Sequence, residues 1–124
     1  MASEGYHEEN LPETVKDRHR AITSIMEELE AVDWYDQRVA VTSDDQLREV
    51  LAHNRDEEKE HAAMTIEWLR RHDPTFDRML RTYLFTEANI LAVEETATEG
   101  QDPVAPEPIG IGSLGIGSLK ETAE

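Results

Sequence analysis

The 124-residue sequence predicts an all-α fold: two long antiparallel helices and a shorter third, with two copies meeting to complete a four-helix bundle. Three observations predict it. Apolar residues recur with helical period along two long stretches that no proline or glycine interrupts. A short polar break near Ser43 joins the two stretches, which makes them antiparallel neighbours. Acids and an imidazole stand inside the apolar stripes: Glu28 in the first, and a Glu-x-x-His pair, Glu58 and His61, in the second.

The polar segment 1–10 reads as a flexible N-terminus. Pro12 suits a first helical turn, with Asn10 and Glu13 as capping partners. From there to about Thr42 the stripe is Val15, Ile22, Ile25, Met26, Leu29, Val32 and Val39. At about 1.5 Å per residue that helix is some 45 Å long. Ser43-Asp44-Asp45-Gln46 reads as a break and a capping box for the second helix, which runs to about His72. Its stripe is Leu47, Val50, Leu51, Asn54, Glu58, His61, Thr65, Trp68 and Leu69. Arg70, Arg71 and His72 suit its C-terminal dipole. Asp73-Pro74 stops it, and Pro74 opens a third helix reaching about Leu91. The helical domain therefore spans 11–95, and the Pro- and acid-rich stretch 96–108 reads as a disordered linker. In the last segment, 109–120, Gly110-Ile111-Gly112-Ser113-Leu114 is repeated without change as Gly115-Ile116-Gly117-Ser118-Leu119. Such a repeat fits an extended docking peptide with apolar anchors, or a flexible low-complexity tail.

Composition narrows the chemistry. A net charge of −16 repels phosphate backbones, so nucleic acid is not an expected partner. With no cysteine, oxygen and imidazole are the metal ligands on offer. No apolar run approaches the roughly 20 residues of a membrane span. The first ten residues lack the apolar core of a signal peptide, so a cytoplasmic location is expected.

Helical geometry sorts the acids. At about 100° per residue, Glu28 falls in the arc of Ile25, Val32, Tyr35 and Val39, whereas Glu27 and Glu30 point away. Glu58 and His61 share the arc of Val50, Leu51, Thr65 and Trp68, and Glu60 lies outside it. Buried carboxylates are paired or ligate metal. Two readings fit: a polar network, or acids neutralised by an arginine, against a carboxylate-bridged di-metal site. The latter takes a Glu from each of two helices and Glu-x-x-His from two others, hence four helices. Two copies on a two-fold axis would supply them and balance two divalent cations. His53, Glu57 and Glu60 have the spacing of a surface cation site or of a solvated acidic strip. Trp34 and Tyr35 follow the acid cluster as packing residues, with Tyr35 on the side of Glu28. His19 and His72 read as surface residues, His7 as part of the loose N-terminus, and Tyr83-Leu84-Phe85 as packing between subunits.

Together these residues resemble the encapsulated ferritins over about 11–95 and the extreme C-terminus. The matching stretches run from Glu27 to Tyr35, from His53 to His61 and from Arg81 to Glu87, with the tail Ser113–Leu119 similar to the peptide that targets cargo to encapsulin shells. The resemblance implies a ferritin-like half-bundle whose pairs form a four-helix bundle and then a ring-shaped decamer. It implies a di-iron ferroxidase centre of Glu28, Glu58 and His61, with Trp34 and Tyr35 beside it. Glu27 and Glu30 match acids that admit iron. His53, Glu57 and Glu60 match a peripheral cation site, with calcium a candidate there. Fe²⁺ and an oxidant would be the substrates, and the lumen of an encapsulin nanocompartment the location. The doubled pentapeptide departs from the family pattern. Two other classes compete with a ferroxidase: a protein that binds metal without turnover, and a metal-free helical cargo or adaptor.

Overall fold

The computed structural model describes residues 5–99, so the expected linker beyond residue 99 and the repeat at 109–119 lie outside the described residues. Among these residues the chain is all-helical: α1 (Glu13–Val41), α2 (Asp45–Arg71), α3 (Pro74–Tyr83) and α4 (Ile90–Glu99). It divides after Leu69 into two units.

In the first unit, α1 and α2 run antiparallel. Arg48 Nη1 donates to the Thr42 carbonyl at 3.0 Å, and Arg55 Nη1 pairs with Asp36 at 2.9 Å. The contacts step backward along α1 as they step forward along α2. Asp44 starts α2, its Oδ2 accepting from Leu47 N at 2.8 Å. At the head of α1 the expected caps are replaced. Pro12 itself stands at the N-cap with no side-chain bond, and Asn10 sits in a left-handed turn at φ 61°. Pro12 fixes extended backbone there, so neither Asn10 nor Glu13 needs to supply the cap.

Residues ahead of α1 make contacts with it. The Tyr6 ring lies 4.8 Å from that of His19, and Lys16 Nζ sits 5.8 Å from the Tyr6 centroid. Gly5 turns the chain at φ 84°, where a Cβ would meet the His19 ring at 3.4 Å. His19 is thus half-buried rather than a plain surface residue. The sequence reading missed this because Tyr6 is a lone aromatic in a polar run.

Among the described residues the buried apolar side chains are few: Ala21, Ala62 and Leu69. Large ones stay open to solvent, including Ile22, Met26 and Leu29 on α1 and Val50 and Met64 on α2. No described helix is long and apolar enough to cross a membrane.

In the second unit, Asp73 caps α3 by accepting from Phe76 N at 3.0 Å, with Pro74 in the first turn. Asp77 holds Arg70 and, at 2.9 Å, Arg81. The third helix ends at Tyr83, not at Leu91 as expected. Leu84 is extended and Phe85 has φ 63°. Thr86 Oγ1 donates to the Tyr83 carbonyl at 2.7 Å, and Asn89 Oδ1 accepts from Leu91 N at 2.9 Å to start α4. Short polar side chains bonding the backbone locally divide one expected helix in two. The new helix also carries regular backbone through 96–99, where composition had predicted linker.

Asp73→Ala should destabilise the protein by about 1 kcal/mol, the usual worth of such a cap. Thermal unfolding checks this; an unchanged transition would mean that the cap contributes nothing to α3.

Candidate metal centre

Two helices present the candidate ligands: α1 carries Glu28, and α2 carries Glu58 and His61. The Asp36–Arg55 pair sets their relative height. Moving back along α1 from Asp36 to Glu28 matches moving on along α2 from Arg55 to Ala63. Glu28 is then within about 3 Å, along the axis, of the level of His61.

The burial pattern follows the helical arcs. Glu28 is half-buried, and Glu27 and Glu30 are exposed. The Glu58 side chain is 28% exposed and that of His61 43%, while Glu60 faces solvent. Glu58 Oε1 lies 3.6 Å from His61 Nδ1, so the Glu-x-x-His pair does converge.

Glu28 is the unusual member. Its Oε1 is buried without a hydrogen-bond partner. An arginine does stand on α2, but Arg55 is turned to Asp36 at 2.9 Å and to Asp56 at 3.1 Å. Hydrogen bonds that Arg55 donates to Asp56 and Asp36 raise its pKa above the ordinary value, and Arg55 in turn holds Asp56 below the usual carboxylate range. The guanidinium is therefore taken up beside the site rather than in it. A buried carboxylate oxygen without a donor is a group that either finds a polar partner or ligates a cation.

Among the described residues of one chain, no three His, Asp or Glu side chains gather closely enough to hold a metal ion. The peripheral residues come together in part. His53 Nε2 is 3.6 Å from Glu57 Oε2, and Glu57 Oε1 is 3.9 Å from His61 Nε2. Glu60 is exposed beside them. Trp34 is exposed, whereas Tyr35 is half-buried under Arg38, whose Cζ lies 5.3 Å from the ring centroid. That contact was missed, although its i, i+3 spacing was there to be read.

Comparison with known proteins gives consistent results. A family described as EncFtn-like matches residues 4–87. The chain is 59% identical to an encapsulated ferritin-like protein of Rhodospirillum rubrum, covering 99% of this chain and 93% of that protein. It is 50% identical to a ferritin-like protein of Thermotoga maritima, covering 92% and 96% respectively. A crystal structure of protein ne0167 from Nitrosomonas europaea is similar with TM-score 0.67 and 58% identity, over 69% of this chain and 97% of that one.

A buried oxygen without a donor costs about 1–3 kcal/mol. Glu28→Met, which keeps the length and drops the polar atoms, should therefore stabilise the chelator-treated protein by about that much. The same change should abolish the gain in thermal stability on adding Fe²⁺ under anaerobic conditions. A variant less stable than the parent in chelator would show that Glu28 is satisfied.

Proposed function

The chain belongs to the EncFtn-like family, and from that premise we propose that it is a ferroxidase whose di-iron site forms between two subunits. The observation that carries this reading is the buried, unpartnered Glu28 Oε1, about two residues' rise along the axis from the level of His61, where the Glu58–His61 pair converges. One chain supplies two carboxylates and one imidazole. A second copy related by a two-fold axis doubles the set. Four carboxylates then balance two Fe²⁺ ions, which removes the cost of burying either charge alone.

The exposed apolar residues support the pairing. Ile22, Met26 and Leu29 make an i, i+4, i+7 stripe beside the buried arc of α1, and Val50 and Met64 flank His61 on α2. The surface that needs cover therefore borders the acids that need a cation. Five such pairs closing into a ring-shaped decamer would follow the family pattern.

Each residue has a distinct task. Glu27 and Glu30 face solvent and draw Fe²⁺ toward the site. Glu28, Glu58 and His61 hold the substrate ions, hard oxygen ligands favouring the oxidised product. Two Fe²⁺ supply the two electrons that reduce one O₂ to hydrogen peroxide, or one peroxide to water. Tyr35 lines the Glu28 side, with Trp34 next to it. His53, Glu57 and Glu60 form a peripheral cation site suited to calcium. The tail docks the protein inside an encapsulin shell, where the iron mineral is stored. The Rhodospirillum rubrum relative is named as encapsulated and both relatives as ferritin-like, which supports that reading.

Stopped-flow absorbance during aerobic Fe²⁺ addition tests the reading. Glu58→Ala and His61→Ala should each slow oxidation by about a hundredfold, the upper end of what disturbing a metal site's surroundings costs. Parent-like rates in both would end the site assignment, and a parent that binds Fe²⁺ without oxidising it would be a passive carrier. Deleting 109–119 should abolish co-purification with an encapsulin shell while leaving the oxidation rate unchanged; a truncated protein that still loads would show that the tail is not the tether.

A further inference from the structure

His61 has a carboxylate near each ring nitrogen, and the two are not equivalent. Glu58 Oε1 is 3.6 Å from Nδ1, and its side chain is mostly covered. Glu57 Oε1 is 3.9 Å from Nε2, and its side chain is half-exposed. A cation shared by Glu58 and His61 must sit where their donor atoms converge. That makes Nδ1 the metal donor and leaves the ring proton on Nε2, facing Glu57. Glu57 is itself engaged from behind, its Oε2 lying 3.6 Å from His53 Nε2. His53, Glu57 and His61 stand at i, i+4 and i+8 along one ridge of α2.

We propose that Glu57 is a positioning residue for the metal centre. On metal binding its carboxylate, 3.9 Å away in this chain, accepts the Nε2–H of His61, which fixes the tautomer and the ring plane so that Nδ1 is presented to the metal. The proposal rests on the reading of Glu58 and His61 as metal ligands. It assigns Glu57 to the centre itself, and not only to a cation site at the periphery. A histidine that ligates metal normally donates its other N–H to an outer group, and losing that group costs about 10–100-fold in metal affinity or activity. Such bonds are often long outside the loaded complex and tighten within it.

Titration of the full-length protein with Co²⁺, followed by its visible ligand-field bands, tests the assignment without turnover. Glu57→Ala should weaken the band-forming site by about tenfold or more and shift the bands as the imidazole loses its fixed orientation. Glu57→Gln, whose amide oxygen still accepts the Nε2–H, should return affinity to within about threefold of the parent, a small part of the range an outer group commands. His53→Ala, which would dismantle a peripheral site, should leave the band-forming site near parental. Parental affinity and bands in Glu57→Ala would overturn the proposal, as would a Glu57→Gln variant as weak as Glu57→Ala or a His53→Ala variant equally weak. Glu58→Ala is the separate control: if it binds Co²⁺ like the parent, the metal-centre reading fails first, whatever Glu57 does.

Discussion

Glu28 Oε1 lies buried with no donor, and much of this structure can be understood as consequence of that placement. An unsatisfied buried oxygen costs about 1–3 kcal/mol, a sizeable share of the stability of any small domain. The remedy nearest to hand would be a cation from the facing helix. Arg55 stands there, but about 12 Å further along the axis, level with Asp36, and Asp36 and Asp56 hold it. The acid is thus kept away from the ordinary neutralising partner, and its lone pairs remain open to a metal ion. What is a defect in a lone hairpin is the requirement of a binding site.

The core is thin for the same reason. Ala21, Ala62 and Leu69 are the described apolar residues that are buried, and two of the three are small. Small residues let helices approach closely but bury little area, at roughly 25 cal/mol per Å². The larger apolar side chains, Ile22, Met26, Leu29, Val50 and Met64, lie on the outer flank of the same stripes. His61 stands on the boundary between the covered and the open arc of α2. Stability and chemistry then depend on one surface. In the proposed pairing, covering the open arc would bring a second set of ligands to the first, and a cation bound between them would stabilise the pair by mass action.

The hairpin was legible because its signals are strong and local. Helical period, a polar break and Asp73-Pro74 gave α1, α2 and the start of α3 to within a residue or two. The inward turn of Glu28 against Glu27 and Glu30 followed from about 100° per residue alone. What the sequence hid was of another kind. The end of α3 at Tyr83 depends on Thr86 and Asn89 bonding the backbone, and each would also be tolerated inside a helix. The segment ahead of α1 meets that helix through Tyr6 and His19, a tertiary contact with no periodic signature. The site was legible as a set of residue types, since Glu-x-x-His reads from spacing. The absence of a donor for Glu28 could not be read, because spacing alone does not say which cation of the facing helix reaches it.

The proposed ligands Glu28, Glu58 and His61 all lie in the first unit, before Leu69, and so does the His53–Glu57 ridge behind them. The second unit, from Arg70 on, contributes α3, α4 and the chain that leads to the repeated pentapeptide. The family match ends at 87, before α4 begins. This division has a physical logic. A metal centre needs ligands held within a fraction of an ångström by regular backbone, and two long helices provide that. A docking segment needs reach and tolerance of sequence change, which chain beyond the domain provides. Placing the two requirements on separate stretches lets the tail acquire a second copy of its pentapeptide without moving a single candidate ligand.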